Sequence, residues 1–250
     1  MKRICTICAR AGSKRLANKN IAPLNGHPLI AYAIAAAHES KLFRKIVVTS
    51  DSREYLEIAS RYGNIACVYR NAELSNSAIS KTRAIYDAVL KCEQCEGIQY
   101  DTIVDLDVTA PLRAAADVIA AVKALEKDKF AESLVSVTES KVTPFSNLFY
   151  VDQQGFLMPM LSPEEVNEHT GSTKMCFALN AAIYAWKRDS FMEHPRTFTK
   201  KTLAFIMAEY TRFDIDGPID LEFVEFLILK MPNRFVRPMQ IKLQGEKDRE

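Results

Sequence analysis

Six short apolar, β-branched runs recur along this chain, ICTIC, KIVVTS, IACVY, TIVDLD, SLVSVT and AAIYAW, and most intervals between them carry apolar residues at helical spacing. Strands that are apolar throughout must be covered on both faces, and strands joined through helices lie parallel to one another. The pattern predicts an α/β fold with a mainly parallel sheet flanked by helices. At 250 residues the chain suits one large core and is short for two, so residues 1–250 are read as a single domain.

Pro28 predicts the opening of a helix on which Leu29, Ile30, Ala33, Ile34 and Ala37 share a face. Asp51 followed by Glu54 has capping-box spacing, and Gly63 is placed to stop that helix in the left-handed conformation. Helices are also expected near residues 80–93 and 114–127, and a last one, PIDLEFVEFLILK, is apolar enough to pack across the sheet. The alternation breaks at residues 139–175. There LFYV, the turn residues QQG and FLM predict a β-hairpin followed by a polar, proline-containing stretch. Such an insertion is too small for its own core, and a projecting hairpin needs something to pack on. A partner subunit is one answer.

Thirty-three basic residues against thirty-one acidic ones give a net charge of +2, which favours neither nucleic acid nor an anionic membrane. An anion would have to be caught by a local cluster. The N-terminal apolar run is short, lacks a cleavage-site region and reads as a first buried strand. Two C-x-x-C pairs, Cys5 with Cys8 and Cys92 with Cys95, invite a zinc reading. Residues three apart on a strand point to opposite faces, so free thiols in a reducing, cytoplasmic setting are expected instead. The four histidines fall at no spacing that suggests a nucleophile's partner or a metal cage.

Four segments carry candidate chemistry. Arg10-Ala11-Gly12-Ser13-Lys14-Arg15, with Lys19 and Asn20 following, sits directly after the first strand, where doubly wound folds bind ligands and small residues expose amides to phosphate. It matches neither the P-loop nor the dinucleotide fingerprint; a solvated basic turn is the bland alternative. Asp214-Ile215-Asp216, if extended, would point two carboxylates to one side at a separation of about 6–7 Å, suited to magnesium. One of them could instead cap the helix that Pro218 begins. In DLDVTAPLR, residues 105–113, Asp107 and Thr109 would face a cleft, with Asp107 as a sugar ligand or a base. Arg70 precedes the polar segment NAELSNSAISK, which could contact a nucleotide.

Taken in order, ARAGSKRLANKN, RNAELSNSAISK, DLDVTAPLR, LNAAIY and FDIDGPIDLEF resemble the motifs of the acylneuraminate cytidylyltransferases, also called CMP-sialic acid synthetases, along nearly the whole chain. The resemblance implies a Rossmann-like nucleotidyltransferase fold in which an inserted hairpin region makes a homodimer. It implies that Arg10 and Lys19 hold the phosphates of CTP, and that Asn20, Arg70 and the backbone from Ala9 through Ala11 to Gly12 and Ser13 hold the nucleotide. Ser80 and Lys81 would line the same cleft, Asp107, Thr109 and Asn180 the sugar, and Asp214 and Asp216 a Mg2+ ion, with Asp216 counted as catalytic beside Arg10 and Lys19. Sialate-specific members carry glutamine in place of Asp107 and R-P-N-G in place of Ala178-Leu179-Asn180-Ala181. These departures bring the chain nearer the legionaminic acid branch.

The reaction so implied is attack by the anomeric hydroxyl of an acidic nine-carbon 2-ulosonic acid on the α-phosphorus of CTP, releasing pyrophosphate. Asp107, a metal-bound hydroxide and the substrate's own carboxylate are all open as the base. A sugar-1-phosphate nucleotidyltransferase and a non-catalytic nucleotide-sugar binding protein are the rival readings.

Overall fold

The computed structural model describes residues 1–13, 15–70, 80–162, 164–165 and 175–239. In it the six apolar runs become β1 (Arg3–Cys8), β4 (Lys45–Ser50), β5 (Ala66–Tyr69), β6 (Thr102–Leu106), β7 (Ser133–Glu139) and β10 (Phe177–Lys187). With β11 (Thr202–Ile206) they form a seven-stranded sheet in the order β11-β7-β10-β6-β1-β4-β5. β4 and β6 flank β1 in parallel, β5 continues from β4, and β11 runs parallel to β7. Only β10 is antiparallel to its neighbours, β6 and β7. Two small hairpins stand apart from the sheet: β2 (Pro23–Leu24) with β3 (His27–Pro28), and β8 (Phe149–Val151) with β9 (Leu157–Pro159). The second forms where the QQG turn predicted it. Residues 71–79, 163 and 166–174, which include most of the NAELSNSAISK segment and the end of the 139–175 insertion, lie outside the described residues.

The alternation of β1 sorts the helices. Cys5 and Ile7 face one core cluster, covered by α1 (Leu29–Ser40) and α4 (Ala115–Lys127), while Ile4 and Cys8 face another, covered by α3 (Lys81–Glu96). Leu29, Ile30 and Ile34 of α1 are fully buried, and each contributes roughly 1.5–3 kcal/mol of apolar burial. The same alternation disposes of the zinc reading, because Cys5 and Cys8 end on opposite faces of the sheet. Cys92 is buried and Cys95 exposed, and none of the six cysteines is in a disulfide. Among the described residues no three His, Cys, Asp or Glu side chains gather as a metal group, and no helix is long and apolar enough to cross a membrane.

Three local expectations need correction. Helix α2 (Arg53–Ser60) is capped by Ser52, whose hydroxyl accepts from the Tyr55 amide at 3.3 Å, because Asp51 is committed to another amide. Gly63 does not stop α2 in the left-handed region; the helix ends at Arg61 in a right-handed conformation. Gly63 is needed for space, since a Cβ there would overlap the imidazole of His38. The last helix, here α6 after the short α5 (Arg188–Glu193), spans Pro218–Lys230 as read but covers the core with one stripe only. Leu221, Val224, Leu227 and Ile228 pack inward, while Ile219, Phe223, Phe226 and Leu229 stay open. A helix that is apolar all round cannot bury both faces at the rim of a sheet.

Gly63→Ala is expected to lower stability by roughly 1–3 kcal/mol in urea unfolding, and His38→Ala in the same chain to recover much of that loss. An unchanged midpoint in the single variant would show that the ring swings clear at no cost.

Candidate active site

The carboxyl ends of β1, β4, β5 and β6 open on one edge of the sheet, the edge at which doubly wound folds bind ligands. The chain leaves β1 as residues 9–20, β4 at Asp51, β5 at Arg70 and β6 at Asp107. Together with the start of α3 and the turn before α6, these exits enclose a cleft of about 400 Å³. Of the residues expected there, Arg10, Ser13, Lys19, Asn20, Arg70, Ser80, Lys81, Asp107 and Asp216 line it. Cys8, Arg15, Leu16 and Ala84 complete the lining.

The loop after β1 is clamped from the β4 side. The Ala9 amide donates to the Thr49 carbonyl at 3.0 Å and the Ala11 amide to Asp51 Oδ1 at 2.7 Å. Asn20 Nδ2 donates to the Arg10 carbonyl at 2.8 Å, and the Tyr55 hydroxyl to Asn18 at 3.1 Å. The amides of Ala9 and Ala11 are thus held inside the fold instead of being offered to a ligand. Gly12 makes the turn at φ 77°, and the loop meets the cleft through side chains: Arg10, Ser13, Arg15 and Lys19.

Across the cleft stands the D-x-D turn. Asp220 performs the helix capping, accepting from the amides of Asp216 (2.9 Å) and Gly217 (2.8 Å), so neither Asp214 nor Asp216 is consumed as a cap. Asp216 is instead gripped by Arg15 at 2.7 Å and Lys19 at 3.0 Å, and Lys19 also donates to the Ile215 carbonyl at 2.7 Å. The Lys19 hydrogen bond, reinforced by the charges of Lys19 and Arg15, holds the Asp216 carboxyl below the usual range. Asp214 behaves oppositely. Surrounding protein crowds it although its side chain still meets solvent, and with the charges of Asp107 and Asp216 this raises its pKa and disfavours the charged form, against a hydrogen bond from Thr109.

The floor contains a group that the sequence reading did not name. Asp105, fully buried in β6, accepts from the Thr6 hydroxyl at 2.7 Å and lies 2.6 Å from Lys81 Nζ. The same ammonium reaches Asp107 Oδ2 at 2.6 Å and stands 5.4 Å from the Tyr184 ring centroid. Burial pulls the Lys81 pKa down, but two carboxylates outweigh it and hold that pKa well above the ordinary value. Burial likewise pushes Asp107 up, and Lys81 more than reverses this. The signal for Asp105 was present: an acid between Val104 and Leu106 inside a run read as a buried strand.

Two residues expected at a sugar sit behind the wall. Asn180 is fully buried, its amide oxygen taking the Ser136 hydroxyl at 2.6 Å and its nitrogen donating to Thr211 at 2.9 Å and to the Met207 sulfur at 3.3 Å. Thr109 is buried against Asp107, and its carbonyl takes the Ile215 amide at 2.9 Å. This last bond ties the β6 bend directly to the D-x-D turn.

Lys81→Met leaves Asp105 and Asp107 facing one another without their cation. Because Lys81 is about one-third open to solvent, the expected loss is roughly 2–3 kcal/mol, below that of a fully enclosed pair. Urea unfolding of the variant at neutral pH measures it, and a loss under about 0.5 kcal/mol would mean water already screens the floor.

The sequence matches the cytidylyltransferase family over residues 4–237. It is 39% identical over 225 residues to post-translational flagellin modification protein B of Campylobacter coli, covering 90% of this chain and 94% of that one. It is 38% identical over 226 residues to the CMP-N,N'-diacetyllegionaminic acid synthase of Campylobacter jejuni, with the same coverage. In three dimensions it is similar to a CMP:2-keto-3-deoxy-manno-octonic acid synthetase complexed with CTP, at a TM-score of 0.66 and 16% identity, covering 92% of this chain and 99% of that one. At that identity the likeness concerns the fold.

Proposed function

This chain belongs to the cytidylyltransferase family, and from that premise we propose that it transfers CMP from CTP to the anomeric hydroxyl of a nine-carbon 2-ulosonic acid, N,N'-diacetyllegionaminate first among them, releasing pyrophosphate. The observation that carries this reading is the pairing of a basic loop with an uncapped D-x-D turn across one cleft. Arg10 and Lys19 take the phosphates as the catalytic cations. Arg70 is 4% exposed and keeps Nε and Nη2 without a partner among the described residues, buried donors of the kind an anionic ligand satisfies.

Asp214 and Asp216 fit magnesium by chemistry, as hard carboxylate oxygens free of the capping role; Asp216 lines the cleft opposite the basic loop, while Asp214, two residues earlier, is not among the lining residues and bonds Thr109. Bound there, Mg2+ would neutralise charge developing on the phosphates. The protein's own contribution is positioning and electrostatics. The Asp107 carboxylate, fixed in its ionised form by Lys81, keeps Oδ1 in only weak contact with Thr109 at 3.4 and 3.5 Å, and so offers an acceptor to a sugar hydroxyl or amide.

The working form in this proposal is a cytoplasmic homodimer. Hairpin β8–β9 exposes Phe149, Tyr150, Val151, Leu157 and Met158, apolar surface that a second copy would cover. Val151→Asp with Leu157→Asp is expected to convert a dimer to a monomer in sedimentation; an unchanged mass would remove the hairpin from the interface.

Pyrophosphate release from CTP and magnesium, measured with legionaminate, pseudaminate, N-acetylneuraminate and sugar 1-phosphates, tests the reaction. Release only with sugar 1-phosphates would favour the sugar-1-phosphate reading, and CTP binding with no release on any acceptor a binding protein. Asp216→Asn is expected to cut turnover roughly 100-fold or more with the fold intact, and near-normal turnover would sink the metal assignment.

A further inference from the structure

Arg113 ends the DLDVTAPLR segment and is 1% exposed, yet no carboxylate of the described residues pairs with it. Its Nη1 donates to the carbonyls of Ala110 at 2.9 Å and Ala182 at 2.8 Å, its Nη2 to the carbonyl of Asp107 at 2.7 Å, and its Nε has no partner. Burial pulls its ionisation down to about 10, which leaves it charged at neutral pH. A cation buried on neutral acceptors is costly, and an apolar side chain of the same volume would often serve packing as well or better. Stability therefore gives a poor account of it.

The guanidinium joins two stretches of chain that carry the cleft. On one side is the bend after β6, from Asp107 to Ala110. On the other is β10, whose register with β7 breaks between Leu179 and Tyr184, and where Ala181 adopts φ 55°, left-handed without being glycine. Ser136 holds this irregular turn from behind, its hydroxyl donating to Asn180 and accepting the Ile183 amide at 2.8 Å. Arg113 holds it from the β6 side. A planar fork can bond three diverging carbonyls at once, whereas an ammonium on a flexible stem cannot reproduce that geometry.

We propose that Arg113 is a positioning residue for the acidic sugar: its fork ties the Asp107–Ala110 bend to β10 at Ala182 and so sets where the Asp107 carboxylate stands. The inference rests on the reading of Asp107 as sugar-facing. None of its hydrogen bonds reaches the loop of residues 9–20, and its only link to the cleft's cations runs through Asp107 to Lys81, so the effect on CTP is expected to be small beside that on the sugar.

The test compares Arg113→Lys, Arg113→Met and Asp107→Asn with wild type. It reads CTP affinity by calorimetry, KM and kcat for the acid that wild type turns over best, and hydrogen exchange at the Ile215 and Ala11 amides. Arg113→Met fills the volume without the charge and guards against misfolding of the lysine variant. Expected in both Arg113 variants are a CTP affinity within about twofold of wild type, a sugar KM raised about tenfold or more, and faster exchange at Ile215 but not at Ala11. Wild-type sugar KM and exchange in both variants would overturn the proposal, as would CTP affinity and sugar KM worsening by one common factor. If Asp107→Asn leaves the sugar KM untouched, the sugar-facing reading fails. An impaired Asp107→Asn beside unaffected Arg113 variants sinks the role of Arg113 alone.

Discussion

Asp216 lies between Arg15 and Lys19, and the geometry of the cleft follows from that contact. It brings the loop that leaves β1 against the turn that opens α6, segments some two hundred residues apart in sequence. As a source of stability the contact is small, because the Asp216 side chain is 54% exposed and such pairs contribute ~0–1 kcal/mol. Its value lies elsewhere. Asp216 keeps the Arg15 and Lys19 side chains over the cleft, where in the proposed reaction the phosphates of CTP would compete with it for them. In the proposed reaction the same acid, once released, would offer oxygen to a hard cation. Asp220 makes this possible by taking over the capping of α6.

Beneath that surface the floor is arranged on the opposite plan. Asp105 is buried and Lys81 and Asp107 are half-buried; the three are close, and removal of one leaves the others uncompensated. The upper contact is exposed to solvent; the lower set is more enclosed. A nucleotidyltransferase has little covalent chemistry of its own to perform, so positioning and electrostatics of this kind are what its cleft has to supply.

Much of this was legible in the residues. Six strands and the positions of the main helices follow from apolar periodicity, and the loop, Arg70, Lys81, Asp107 and the D-x-D turn were recognisable by residue type and place. The direction of β10 was not, because a strand buried on both faces carries the same apolar run whichever way it points. β11 escaped notice as a half-exposed edge strand. Asp51 has the spacing of a cap but bonds the Ala11 amide, a long-range choice that local spacing cannot reveal. Asn180 was expected at the sugar only through the family resemblance of LNAAIY, and the structure spends both ends of its amide on Ser136, Thr211 and Met207. Arg113 was part of a recognised segment, yet its three carbonyl partners come from two distant stretches and leave no pattern in one sequence.

The central claim is that substrate phosphates and a metal ion divide the Arg15–Asp216–Lys19 contact between them. Calorimetric titration of CTP into wild type and Asp216→Asn, with and without magnesium, tests it most directly. The account predicts that without metal the variant binds CTP at least as tightly as wild type, since Arg15 and Lys19 no longer neutralise a carboxylate, and that magnesium strengthens binding only in wild type. Weaker metal-free binding by the variant, or an equal gain from magnesium in both proteins, would contradict it.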